Sequence, residues 1–224
     1  MKISQQTLSI LKNFATINGN ILVRAGSNLS TISPQKNILA NANVAESFPL
    51  EFAIYDLSQF LSAVSLFEDA DFDFAEKYVT ISSGRRSIKY FYAEPSMILS
   101  APEKKLVLPS TEVDFVATAG NISEVLKASA VLQTPEIVVA SESHSTQIEL
   151  IATAVNNNTS NRYAVNVDAT TEDTFRMVFK SENLKLIPGD YRISISSKGM
   201  GRFFNEKLGL EYFIATETTS KYGA

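Results

Sequence analysis

Hydrophobic residues recur at helical spacing near the start of this chain. They fall at steps of three or four residues, which predicts a helix with one buried face, and they are Leu8, Leu11, Phe14 or Ala15, and Ile17. Ser4 is a suitable N-cap. Gly19 and Asn20 are expected to end the helix, because glycine tolerates the left-handed conformation common at helix ends.

A second helical pattern follows a short apolar strand. Asp56 is a good N-cap, and apolar residues at helical spacing after it predict a helix over 56–67. Alternating and β-branched residues predict strands over 21–24, 52–55, 71–74, 78–82 and 87–92, with a hairpin turn at Ser83-Gly84. Between 29 and 51 we expect short strands joined by turns at Ser33-Pro34 and at 41–43.

The second half of the chain repeats this order. Its pattern predicts a helix over 121–132, with Ile122, Val125, Leu126 and Ser129 inward, and a short helix over 181–187 that ends at Pro188-Gly189. Strands are predicted over 136–140, 148–154, 163–167, 175–179, 191–196 and 210–216. The stretch 197–209 has the least defined pattern.

Short segments of the two halves also match in sequence. Ile10-Leu11-Lys12 corresponds to Val125-Leu126-Lys127. The other matches are Ile21 and Val23 with Ile137 and Val139, Ile54-Tyr55 with Val178-Phe179, and Tyr90-Phe91 with Tyr212-Phe213. Internal duplication explains these matches, and chance similarity among short apolar segments is the alternative.

The predicted fold is therefore α+β, with two duplicated domains whose helices lie on one face of antiparallel sheets. Three prolines and the run Glu103-Lys104-Lys105 mark a connector. We expect a first domain over 1–94, the connector over 95–109 and a second domain over 110–224.

Composition narrows the possible functions. With 45% hydrophobic and 20% charged residues, the chain has the make-up of a folded soluble protein, and no apolar run is long enough to cross a membrane. The absence of cysteine excludes disulfides and thiolate sites and fits a cytoplasmic location. The net charge of −4 argues against a broadly basic surface, although a local basic stripe can still exist.

No pattern indicates catalysis, a cofactor or a metal site. The single histidine, His144, stands in a polar stretch expected to be a surface loop. The acidic run from Glu68 to Asp73 lacks the glycine and the final glutamate of a calcium loop. Gly199-Met200-Gly201 lacks the rest of a dinucleotide-binding fingerprint and is expected to be a turn.

Three segments give the chain a family resemblance. Residues 11–18 (Leu-Lys-Asn-Phe-Ala-Thr-Ile-Asn), residues 53–57 followed by Phe60-Leu61, and Ile187-Pro188-Gly189-Asp190-Tyr191 resemble the DNA polymerase sliding clamp of large, T-even-like tailed phages. The similarity runs in order through nearly the whole chain. It implies a homotrimeric ring of six domains around duplex DNA, with two helices per domain lining the hole, in the cytoplasm of the infected host cell.

Sliding requires contacts that do not read base sequence, which phosphate contacts provide. Lys12 and Lys127, equivalent by repeat and on the polar helix faces, are the first candidates for binding DNA, and Lys2, Lys180 and Lys185 follow. A lysine on a solvent-facing helix is by itself usually only solvated. Glu124, one turn before Lys127, partly cancels its charge.

The resemblance also implies docking of a DNA polymerase and a clamp loader through short peptides in an apolar pocket near the connector. The candidates are Met97, Ile98, Leu99, Leu106, Val107, Ile187 and Pro188, which could instead pin the connector to its own sheet. For the subunit interface we expect the edge strand 87–92 against the strand 163–167 of the next chain. Its candidate residues are Ser87, Ile88, Tyr90, Tyr92, Tyr163, Val165 and Val167.

Two other functions remain open from sequence. An enzyme of duplicated α+β architecture would show a deep pocket with perturbed carboxylates. A structural phage protein that oligomerises without binding DNA would turn Lys12 and Lys127 outward.

Overall fold

The computed structural model describes residues 1–141 and 146–223, so the prediction for His144 lies outside the described residues. The chain divides into two compact units, Met1–Lys105 with Lys207–Leu210, and Leu106–Glu206 with Glu211–Ala224. The predicted connector, 95–109, is divided between the two units, the first unit taking its residues up to Lys105. Its first part is held by the first unit, where the Asn18 side-chain amide donates to the Leu99 carbonyl at 3.3 Å and Arg24 donates to the Ala101 carbonyl at 3.1 Å.

The first unit carries two helices and three antiparallel groups of strands. Its elements are α1 (Gln5–Ile17), β1 (Ile21–Val23), β2 (Gly26–Ile32), β3 (Ile38–Phe48), β4 (Phe52–Ile54), α2 (Leu57–Val64), β5 (Asp71–Phe74), β6 (Tyr78–Ser83), β7 (Arg86–Phe91) and a 3-10 helix, Pro95–Met97. β1 pairs with β4, β2 pairs with β3, and β5, β6 and β7 form a meander. The predicted caps Ser4 and Asp56 are confirmed, since each side chain accepts a backbone N–H of the first helical turn.

The second unit carries one α-helix among its described residues. Its elements are β8 (Val113–Ala117), α3 (Ala119–Leu132), β9 (Glu136–Ser141), β10 (Gln147–Thr153), β11 (Tyr163–Thr170), β12 (Phe175–Lys180), a 3-10 helix (Ser181–Asn183), β13 (Tyr191–Ser196), β14 (Met200–Asn205), β15 (Leu210–Ala215) and β16 (Lys221–Tyr222). One sheet runs in the order β11-β10-β9-β12-β16, and a second contains β8-β13-β14-β15 in that order. α3 packs mainly on β10 and β11.

The element order supports the predicted duplication. In each unit a helix leads into a strand, a hairpin and a returning strand, and a three-strand meander closes the repeat. The returning strand pairs with the first one, Ile54 opposite Ile21 and Phe179 opposite Ile137. Ile54 therefore corresponds to Phe179 in the structure, whereas the sequence match aligned it with Val178. In the second unit β8 pairs with β13, the first strand of the meander. At the corresponding place in the first unit there is one isolated β-bridge, between Lys2 and Asp71 of β5.

Two predicted local conformations in the first unit are wrong, a turn at 41–43 and a left-handed glycine at the end of α1. Residues 41–43 lie inside β3, because Asn41 and Asn43 stand opposite Ser30 and Asn28 of β2 and continue its ladder. Gly19 has no positive φ, and α1 ends at Ile17 with Asn18 extended at φ −143°. The Asn18 backbone N–H closes this end by donating to the Phe14 carbonyl at 2.9 Å. The Asn18 side-chain amide donates to the Ile32 carbonyl of β2 at 2.9 Å.

The predicted helix over 181–187 is wrong beyond its first turn. Only the 3-10 helix Ser181–Asn183 forms, and Leu184 leaves the helical region at ψ 57°. The Ile187 N–H donates to the Tyr212 hydroxyl at 3.2 Å, and the Ile187 carbonyl accepts from Tyr191 at 2.6 Å. These side-chain bonds take the backbone groups that a longer helix would need, so the expectation of two helices in each domain fails here.

Three further strands, β8, β14 and β16, lie in stretches where none was predicted. In β8 the alternation was present, with Val113, Phe115 and Ala117 buried and the residues between them exposed. β14 crosses Gly201, which therefore lies in a strand, while Gly199 at φ 95° does form a turn. Fewer residues of α3 are buried than predicted, since Val125 and Ser129 are fully buried but Ile122 and Leu126 are half-buried.

Replacing Gly201 with alanine is expected to destabilise the protein by about 1–3 kcal/mol. An added Cβ would lie 2.7 Å from Cζ of Phe179, whose ring is fully buried and packs edge-on against Phe203. Urea unfolding would measure the change. Gly19→Ala is the matched control, because its Cβ would meet no atom within 4 Å and should change stability by less than about 0.5 kcal/mol.

Candidate nucleic-acid interface and docking edges

Lys12 and Lys127 stand at equivalent places on the exposed faces of α1 and α3. Behind them, Ile10 and Leu11 are buried on α1 and Val125 is buried on α3. Within residues 1–141 and 146–223 neither ammonium group has an acidic side chain within 4.0 Å. Both are therefore available to an external anion.

A carboxylate fixes the start of α1. Glu46 of β3 accepts hydrogen bonds from the Ser4 N–H and the Thr7 hydroxyl, both at 2.5 Å. Burial alone would raise the pKa of Glu46, but the bonds from Thr7 and Ser4 outweigh it and lower the pKa. The ionised carboxylate also interacts favourably with the positive end of the helix dipole.

α3 is fixed at its start by two groups. Thr118 and Asn121 form a capping box, in which each side chain accepts a backbone N–H of the other residue. The Ala119 N–H donates to Asp190 at 2.9 Å, which ties the helix to the loop before β13. Further along, the Tyr163 hydroxyl at the start of β11 donates to the carboxylate of Glu124.

The other predicted DNA-binding lysines lie off the helices. Lys2 pairs with Asp69, an ion pair that raises the pKa of Lys2, so its charge is already balanced. Lys180 and Lys185 are exposed at the end of β12 and after the 3-10 helix. α2 carries no basic residue, and its exposed side chains are uncharged serine and glutamine.

β7 is an edge strand with a free row of backbone groups. Gly84 and Arg85 form the two-residue turn that joins it to β6. In such a hairpin every second residue of one strand exchanges backbone hydrogen bonds with the other strand. The Tyr92 N–H donates to the Lys77 carbonyl, so Tyr92 and every second residue before it bond toward β6. The N–H and C=O groups that face away from β6 therefore belong to Ser87, Lys89 and Phe91.

A groove of about 340 Å³ lies beside this edge, lined by Tyr55, Asp56, Gln59, Lys89, Tyr90, Phe91, Tyr92 and Ala93. Phe91 and Tyr55 are 66% and 62% exposed. The Tyr92 hydroxyl is buried with no hydrogen-bond partner in the described residues, and burial raises its pKa to about 12. Sequence reasoning did not select Tyr55, Lys89 or Phe91. The two-residue turn was the available signal, because it sets which residues face outward.

β11 is another edge strand, since among the described strands it pairs with β10 alone. Of the interface candidates on it, Tyr163 is exposed and Val165 is half-buried. Val167 is only 1% exposed, so its side chain belongs to the core and only its backbone could meet a partner.

The predicted peptide-docking residues fall in both units. In the first unit Met97 is 64% exposed, whereas Ile98 and Leu99 are half-buried. In the second unit Val107 is 73% exposed and Pro188 is exposed, whereas Leu106 and Ile187 are half-buried. Burial raises the pKa values of Tyr191, to about 12, and Tyr212, so both phenols that hold Ile187 stay protonated.

The described residues contain no cluster of three side chains able to bind a metal ion. Across the same residues, no helix is both long and apolar enough to cross a membrane.

Two family models match the chain in sequence order. One, described as DNA polymerase processivity factor, matches residues 2–100, and the other, described as gp45 sliding clamp, C terminal, matches residues 114–218. The sliding clamp of Vibrio phage KVP40 is 40% identical over 223 residues, which cover 97% of this chain and 99% of that protein. The sliding clamp of Enterobacteria phage T4 is 29% identical and covers 99% of both chains.

Solved structures agree on the fold. A chain of the PCNA2–PCNA3 complex from Sulfolobus tokodaii superposes with a TM-score of 0.71 at 12% identity, over 95% of this chain and 96% of that one. PCNA from Thermococcus kodakaraensis gives a TM-score of 0.68 at 16% identity, over 95% and 96%. These matches confirm the predicted α+β clamp fold. Since the 40% identity extends over almost the entire chain, the protein belongs to the sliding-clamp family of DNA polymerase processivity factors.

Proposed function

We propose that three copies of this clamp close into a ring around duplex DNA, with α1 and α3 facing the phosphates, and that the ring tethers the DNA polymerase during replication of phage DNA in the host cytoplasm. The main support is the pair Lys12 and Lys127. They are equivalent by repeat, lie on exposed helix faces and have no acidic partner in the described residues.

Lysines suit a contact that must slide. A lysine attracts any phosphate and carries little base preference, so the binding energy stays nearly constant along the duplex. The exposed serine and glutamine side chains of α2 add no charge, so the basic residues of the three α-helices are Lys12 on α1 and Lys127 on α3. Three subunits would present six such lysines.

The subunit joint is proposed to form between β7 of one chain and β11 of the next. Both strands end their sheets with free backbone groups, and pairing them leaves no exposed edge there.

Docking of the polymerase and a clamp loader is proposed at exposed apolar residues around the predicted connector. Met97, Val107 and Pro188 are accessible enough to bury an apolar side chain of a peptide. Ile98 and Leu99 in the first unit, and Leu106 and Ile187 in the second, are half-buried and offer less apolar surface.

The mass in solution tests the ring. Three chains of 24.6 kDa give about 74 kDa, which light scattering at micromolar concentration should measure. Nicked circular duplex should retain this species longer than linear duplex of the same length, because an encircling ring leaves linear DNA at its ends. A mass near 24.6 kDa at every concentration would contradict the ring, and equal retention would contradict encirclement.

A further inference from the structure

Tyr163 joins the edge strand β11 to the helix α3 by one hydrogen bond. Its hydroxyl donates to the carboxylate of Glu124, and this bond is the main reason that the pKa of Tyr163 is raised. The phenol therefore keeps its proton and remains a donor at neutral pH. Tyr163 is also partly exposed, at 37%.

Glu124 precedes Lys127 by three residues, and both side chains are exposed on α3. A glutamate and a lysine at this spacing lie on neighbouring positions of a helix surface and form an ion pair when both are free to turn. No such pair exists in the described residues. The Glu124 carboxylate instead lies against Tyr163.

We propose that Tyr163 is a positioning residue that holds Glu124 on β11 and so leaves Lys127 unpaired for DNA phosphate. This inference rests on the proposed function, since it concerns the strength of the same DNA contact. Because α3 occurs once per chain, the effect would act three times in a ring.

Tyr163→Phe tests this role, because it removes the hydroxyl and keeps the ring. We expect the released Glu124 to pair with Lys127 and to weaken binding of the trimer to a short fluorescent duplex by about threefold to tenfold, from three ion pairs of ordinary helical strength. Fluorescence anisotropy at several salt concentrations would measure the affinity. Light scattering would confirm the mass of the variant.

Glu124→Gln provides the control. It removes the competing charge, so Tyr163→Phe should have no further effect in this background. An equal loss of affinity with and without Glu124 would show that Tyr163 acts by another route and would overturn the inference. Unchanged affinity of Tyr163→Phe, beside a clear loss for Lys127→Ala, would overturn it too and leave the proposed function intact. Unchanged affinity of Lys127→Ala would overturn the DNA-facing role of α3 itself.

A second readout does not need the ring. If Tyr163→Phe dissociates the trimer, the NMR chemical shift of the Lys127 side-chain ammonium should still change in the single variant, because a carboxylate now approaches it. The shift should stay constant when the same change is made in Glu124→Gln. A constant shift in both would contradict the inference.

Discussion

Replacing Lys12 and Lys127 together with alanine is expected to weaken binding of the trimer to a short duplex by about tenfold to a hundredfold at 0.1 M salt. Each phosphate contact releases counterions from the DNA when the protein binds, so the variant releases fewer counterions. The slope of log affinity against log salt should therefore become shallower by about 2 to 5. Anisotropy titrations across a salt series would measure both values.

The control for this variant removes the same charge elsewhere. Lys77 and Lys198 are exposed, lie in turns outside the helices and strands, and can be replaced together with alanine. The loss of affinity should then be small, because distant charges are screened at this salt concentration. An equal loss in both double variants would mean that total charge matters rather than the placement of lysines on α1 and α3. Light scattering should find the trimer in both.

Lys89→Pro is expected to dissociate the trimer to monomers of 24.6 kDa at low micromolar concentration. The Lys89 N–H faces away from β6, so proline removes no bond within the sheet. It does remove a donor from the free edge and places a ring where the partner strand would pair. Each of the three joints would be affected, and light scattering would measure the outcome.

Lys89→Ala separates the backbone from the side chain. Both variants lose the ammonium group, which lies 4.1 Å from the centre of the Tyr78 ring, but alanine keeps the N–H. The alanine variant should therefore remain trimeric. If the alanine variant dissociates as the proline variant does, the joint depends on the Lys89 side chain rather than on backbone pairing of β7. If the proline variant stays trimeric, β7 is not the joint.

The sequence predicted much of the fold where burial follows a simple period. α1 was found because its apolar residues recur every three or four positions on its buried face. The meander β5–β7 was found because more buried and more exposed positions alternate along its strands. The prediction for 181–187 failed because distant side chains decide the backbone there, Tyr212 binding the Ile187 N–H across 25 residues. Periodicity contains no information about such bonds.

The site was predictable to the extent that it depends on duplication. Lys12 and Lys127 were selected because the two halves match at these positions, and the structure places both on exposed helix faces. The pairing of Lys2 with Asp69 needs a contact across 67 residues, which no local pattern reveals. The outward direction of Lys89 and Phe91 follows from the phase of the hairpin ladder, which the position of the turn sets. The predicted turn at Ser83-Gly84 was one residue early, since Ser83 pairs with Arg86 and the turn is Gly84-Arg85.

The two halves of each chain are unequal, since α2 has only the 3-10 helix Ser181–Asn183 as its counterpart. In the proposed ring, a duplex that rotates about its axis would therefore meet the same electrostatic environment every 120°, although the architecture contains six repeats. The barriers to rotation would have threefold periodicity, and a rotating duplex would pause at three equivalent orientations in each turn.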